Sequence, residues 1–250
     1  MMYPTLQKLG GKIRGGIVWD TQELATFMQS VVSENIKDLS DKKYKIVSLG
    51  DCCFTRHILT WTGIKPQKAN GEASHPFDLC SNNLNNISDC IENNFKDFCE
   101  PSFIKNNTHE IYGGSYPHEE GEMSENDAIK FRVRYLRRIA NFYEDIYSQN
   151  TIFFVNTNHY SQEQIGTMSE KIIKVLSNKF KNINYRFIMT NECGTNSPIC
   201  FDGEKNIYIN HDIPYPEYKW HDKNYLHTDA GVEHACAFAF KIKEIIKKYA

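Results

Sequence analysis

The sequence predicts an α/β fold, a three-layer Rossmann-like sandwich on a mostly parallel sheet with an N-terminal helical appendage. Two patterns lead to it. Short apolar runs, KIVSL, TIFFVNT, YRFIMT and NIYIN, recur along the chain, and amphipathic stretches of ten or more residues stand between and after them. Strands alternating with helices of that length build parallel sheets covered on both faces. Size agrees: 250 residues, 40% of them hydrophobic, are enough for one sizeable core.

In chain order, residues 1–43 read as an extension carrying one helix, and 44–250 as a single α/β domain. In the extension Leu24, Phe27, Met28, Val31 and Val32 recur at helical spacing, with Asp20 and Glu23 placed for a capping box. KIVSL is the first core strand. Cys53 to Trp61 reads as a helix closed by Gly63 and Pro66, and Asn70 to Ser124 as short helices joined by long loops. Ala128 to Ile146 is an amphipathic helix expected to bury Ile129, Val133, Leu136, Ala140 and Tyr143. TIFFVNT, a helix over Ser161 to Phe180, then YRFIMT and NIYIN follow. A helix from about Asp229 closes the chain, burying Val232, Ala235, Cys236, Ala239, Ile242 and Ile246. In such sheets ligands sit at the carboxyl ends of the strands, near a topological switch point.

Composition excludes several functions. Lys plus Arg (29) nearly balances Asp plus Glu (31), so bulk-charge binding of nucleic acid is not expected. No apolar run approaches the roughly 18–20 residues of a membrane span. The eight cysteines are spread through a chain large enough to fold without staples, and the N-terminus lacks the apolar core of a secretory signal, so a reducing, cytoplasmic compartment is expected. Neither G-x-x-x-x-G-K-[ST] nor a G-x-G-x-x-G after a strand occurs, and the His221, His227, His234, Cys193 and Cys200 spacings match no tight metal signature. No cofactor and no metal are expected. The expected partner is a small-molecule, glycan or peptide acyl substrate; the sequence does not give the oligomeric state.

The strongest chemical signal is VSLGDCCFTRH, residues 47–57. A strand runs into a Gly turn, two thiols follow, and a helix begins. A cysteine at a helix N-terminus feels the positive end of the dipole, which favours thiolate, so the Cys53 thiol is expected well below the ~8.5 of free cysteine. Backbone N–H groups around Gly50 and Asp51 are placed for an oxyanion, and Arg56 adds positive potential. Against this, small cysteines commonly pack at strand ends. The second signal is His227, before the last helix, with Asp222 and Asp229 near it in sequence to orient an imidazole. Its bland alternative is a loop residue, with His234 on the helix surface. The third is SHPFD, residues 74–78, where Asp78 either orients a histidine or caps a helix over Leu79–Asn83. Last, Arg132, Arg134, Arg137 and Arg138 fall within two helical turns, either as a solvated face or as an oxyanion binder.

These segments resemble a family. VSLGDCCFTRHIL, SHPFDLCSNNL, NNFKDF, KFRVRYLRRIANFYEDI and TIFFVNT together are similar to a bacterial and viral domain of unknown function named for papain-like cysteine peptidases. The resemblance spans Lys45 to Thr157. It implies Cys53 as nucleophile, Asp78 as the P-F-D aspartate, and Arg137 and Arg138 as the paired arginines beside a substrate that Arg56 and His75 would also touch. Leu79 stands where Trp is usual. GDCC and the later HTDAG are also similar to the first and last blocks of SGNH (GDSL-type) esterases and acyltransferases. That mapping makes Cys52 the nucleophile and His227 the base, with Asn224 where the usual acid would be. Three functions stay open: a cysteine-nucleophile hydrolase or acyl transferase, an SGNH-like esterase acting on glycan or lipid acyl groups, and a non-catalytic glycan- or protein-binding module.

Overall fold

A computed structural model describes residues 21–67, 70–117, 123–158, 160–191, 197–210 and 228–250. Among them lie six α-helices: α1 (Thr21–Asp38), α2 (Phe54–Trp61), α3 (Leu84–Glu92), α4 (Glu125–Ile146), α5 (Gln162–Lys179) and α6 (Asp229–Tyr249). The strands are β1 (Tyr44–Ser48), β2 (Ile104–Lys105), β3 (Thr108–His109), β4 (Thr151–Asn158), β5 (Tyr185–Asn191) and β6 (Asn206–Asn210). The chain divides into two compact units, one of residues 44–56 and 73–210, the other of 1–43, 57–72 and 211–250. Helix α1 therefore falls in the same unit as α6.

The first unit is an α/β fold. Its main sheet has the order β1-β4-β5-β6 with every pair parallel, so all four apolar runs form strands as expected. Among the described strands the order never reverses, so the expected switch point is not found there. Crossovers between parallel strands are right-handed. Two successive steps in one direction therefore put α4 and α5 on the same face. That face is the main core: Phe131, Tyr135, Phe142 and Ile146 of α4 and Ile165, Ile172 and Leu176 of α5 share a cluster with Ile152 and Phe154 of β4 and Phe187 and Met189 of β5. All eight residues of β4 are buried, as a strand covered on both faces requires. Ser161 and Gln164 form a reciprocal capping box at the start of α5. A two-residue Asn106–Asn107 turn with φ of 48° and 60° closes the β2–β3 hairpin, a conformation asparagine tolerates better than most residues.

Two expectations are corrected here. Helix α4 buries Phe131, Tyr135, Arg138, Phe142, Asp145 and Ile146, while Ile129, Val133 and Leu136 are 57%, 62% and 51% exposed. Both stripes have helical spacing, and the aromatic one carries more apolar area to remove from water. And no helix covers Leu79–Asn83: α3 starts at Leu84, with Asn83 as its cap accepting from the Asn86 N–H.

In the second unit Leu24, Phe27, Met28 and Val31 of α1 cluster with Val232 and Cys236 of α6. The side-chain amide of Asn35 donates to the Thr62 carbonyl at 2.7 Å, and Lys243 reaches Asp38 at 3.0 Å. All six residues expected to be buried on α6 are buried. So is His234, which corrects its expected place on the helix surface. Among the described residues, no helix is long and apolar enough to cross a membrane.

Candidate active site

The Gly50–Cys53 turn hangs from the carboxyl end of β1. Past the strand proper, Leu49 N–H donates to the Val155 carbonyl (2.7 Å) and Asp51 N–H to that of Thr157 (3.4 Å), so the chain follows β4 until residue 51 and then turns away. Glycine is required at position 50. A Cβ there would lie 2.3 Å from the Cys52 carbonyl oxygen and 2.8 Å from the Thr55 hydroxyl, so a side chain would force the turn open. Cys52 and Cys53 follow, both half-buried, and α2 begins at Phe54.

Polar side chains from three other segments fix this turn. The Asn156 amide donates to the Leu49 carbonyl, and the Thr55 and Thr157 hydroxyls share a hydrogen bond at 2.5 Å. Asp51's carbonyl accepts from the Ser81 hydroxyl at 2.9 Å and the Asn82 N–H at 3.1 Å. Tyr160 donates its hydroxyl to the Asp51 carboxylate at 3.4 Å, and the Tyr160 hydroxyl oxygen in turn accepts the Leu84 N–H at 3.0 Å. Asn158 spans β4 and β5, donating to Asn156 Oδ1 (2.8 Å) and the Thr190 carbonyl (3.1 Å). Asn156, Thr157, Asn158 and Thr190 are all buried, so this is an internal brace rather than a wet surface.

Asp78 completes the brace. Wholly buried, its carboxylate accepts the His75 N–H at 2.7 Å and faces Arg56 Nε at 3.3 Å. It thus holds Arg56, one turn into α2, beside the thiols. Burial pushes the Cys53 thiol up, and its own N–H and the Arg56 charge pull it down by less. The direction is the reverse of the depressed thiol expected from the sequence: desolvation outweighs the thiol's own N–H and the Arg56 charge. Cys80, fully buried near Asn82 and Arg138, is pushed up to about 12.

Gly50, Asp51, Cys52, Cys53, Arg56 and Asp78 meet at one place. Arg138 reaches the same neighbourhood through Cys80, which also feels Asp78 and Cys53, whereas the ring of His75 turns to another partner. His75 is buried, and its Nε2 lies 3.0 Å from Asp145 Oδ2, whose other oxygen meets Lys45 at 2.9 Å. It ties the SHPFD segment to the end of α4 and the start of β1, and its ring does not face solvent. Arg137 and Arg138 are not a pair in space, because neighbours on a helix point about 100° apart. Arg137 is exposed. Arg138 is buried, with its guanidinium 4.5 Å over the Tyr135 ring. His227 and Asp222 lie outside the described residues, as does Asp20. Ser81, Asn82, Asn156, Asn158 and Tyr160 do not stand out in the sequence as site residues. A signal existed for two of them, since TIFFV ends abruptly in the polar N-T-N where a strand's carboxyl end should carry a site.

Residues 44–120 match a family model described as "Putative papain-like cysteine peptidase (DUF1796)". The match takes in β1, both thiols, the SHPFD segment, α3 and the β2–β3 hairpin, and stops before α4. No curated protein and no solved structure matches the chain.

Proposed function

We propose that the chain is a cysteine-nucleophile hydrolase or acyl transferase in which Cys53 attacks an acyl carbonyl. The observation that carries this is the braced strand–Gly–Cys–helix turn, with two half-buried thiols at the carboxyl end of β1 and inside the peptidase-family match. Rigid bracing suits a nucleophile, because attack requires the reacting atoms at near-contact distance and angle. Burial favours the neutral thiol, so its proton leaves as the Sγ–C bond forms. His227 is the proposed acceptor, with Asp222 orienting it. The carbonyl electrons move onto oxygen, which the N–H groups of the 50–53 turn and α2 stabilise. Collapse expels an amine, alcohol or thiol that takes the proton back, and water or a second acceptor then releases the acyl group.

An esterase or acyltransferase with Cys52 as nucleophile is the second reading. The parallel sheet favours it. The test is separate Cys52→Ser and Cys53→Ser variants, assayed on acyl esters, thioesters and peptides beside iodoacetamide labelling across pH. The expected result is loss of activity with Cys53→Ser alone and a Cys53 labelling midpoint above free cysteine. Loss with Cys52→Ser alone selects the second reading. Full activity in both removes thiol catalysis, and no activity of the parent chain on any of these substrates leaves the binding module.

A further inference from the structure

The exposed face of α4 has a regular pattern. Ile129, Val133, Leu136, Ala140, Tyr143 and Tyr147 recur at spacings of four and three, the period of a coiled-coil seam. Ile129, Val133, Leu136 and Tyr147 are each more than half exposed, Ala140 is exposed, and half-buried Tyr143 stacks on Tyr147 with ring centroids 6.2 Å apart. A seam this narrow fits the ridge of another helix, whereas a helix lying in a membrane surface needs a broader apolar face.

Charge along the seam identifies the other helix. Exposed Lys130, Arg132 and Arg137 flank its first half, Lys130 beside Asp127 at 3.2 Å and Arg132 beside Glu100 at 3.1 Å, and exposed Glu144 flanks its second. A parallel copy would set like against like. An antiparallel copy brings the basic half against the acidic one. The register then pairs Leu136 with the partner's Ala140, Val133 with its Tyr143 and Ile129 with its Tyr147, large against small or aliphatic against aromatic. Because the arrangement is two-fold symmetric, each of these layers occurs twice. In the same register Lys130 of each copy lies beside the partner's Glu144. Only Arg137 meets its own equivalent, near the axis.

We infer that α4 is the interface of an antiparallel homodimer, two copies of this chain joined along Ile129–Tyr147. Sedimentation equilibrium of the full chain tests it, at low salt over about 1 to 100 µM, the range in which a modest interface dissociates. A dimer is expected. Leu136→Glu, at an exposed position, makes it monomeric with unchanged circular dichroism. Lys130→Glu and Glu144→Lys each weaken it about tenfold, and the two together restore it. Arg137→Gln tightens it by relieving the like-charge contact. A monomer at every concentration overturns the inference, whether or not it sediments with anionic lipid vesicles. So does a dimer indifferent to Leu136→Glu, or one that the paired charge reversal fails to restore.

Discussion

The turn at Gly50–Arg56 and the aromatic cluster beneath α4 belong to the same compact unit and are held by opposite means. In the cluster Phe98 touches Phe77, Phe95, His109, Tyr112, Tyr116 and Tyr135 with ring centroids about 6 Å apart or less, and no single contact defines it. The turn is fixed by individual hydrogen bonds from Ser81, Asn82, Asn156 and Thr157. Apolar packing is non-directional and scales with area, so it supplies stability. Hydrogen bonds contribute little net energy each but set position within tenths of an ångström. One region keeps the unit folded, and the other holds the thiols where chemistry can use them.

Substitutions should separate the two accordingly. Phe98→Ala, which empties the centre of the cluster, is expected to cost about 4 kcal/mol of stability, read as a lower urea midpoint at unchanged slope. Cys53 labelling of the molecules still folded should stay near its original rate. Asp145→Asn comes next, at about 2–3 kcal/mol, because it breaks the bridge to buried His75 and half-exposed Lys45. Its pH signature is specific. Burial alone would raise the Asp145 carboxyl, but His75 and Lys45 outweigh it and hold the group below the ordinary carboxylate range. A depressed carboxyl contributes stability that is present above its unfolded value of about 4 and lost as pH falls through the folded one. Unfolding curves at neutral pH and near pH 3 should therefore converge for Asp145→Asn relative to the parent. An unchanged gap between the two proteins would show that the bridge does not carry that acid sensitivity.

The same contrast explains what the sequence disclosed. Apolar runs announce strands because area is a property of composition, and all four were legible. So was the Gly50–Cys53 turn, whose residues are consecutive. The buried face of α4 was not, because Arg138 and Asp145 interrupt it; Arg138 lies over the Tyr135 ring, and Asp145 meets Lys45 and His75, partners a helical wheel cannot display. His75 itself looked like a substrate contact, since Asp145, which occupies its ring, is 70 residues away. The brace failed to show for the same reason: Asn156 and Asn158 act on residues more than thirty or a hundred positions distant. Its donors are ordinary polar letters until the sheet brings β1, β4 and β5 side by side.

The smallest expected effect is the most informative about the brace. Thr55→Val keeps the shape of the side chain and deprives the buried Thr157 hydroxyl of its 2.5 Å partner, at a cost of about 1–2 kcal/mol. Thr157→Val should cost about as much. The double variant should lie close to the parent, because two apolar groups of the same shape leave nothing unsatisfied. Labelling divides what stability cannot. If the hydroxyl pair aims α2, Cys53 labelling changes in all three variants, including the stable double one. If it merely satisfies two buried oxygens, labelling returns to the parent rate once both hydroxyls are gone. The first outcome makes Thr55 and Thr157 positioning residues for the nucleophile turn, and the second confines them to the fold.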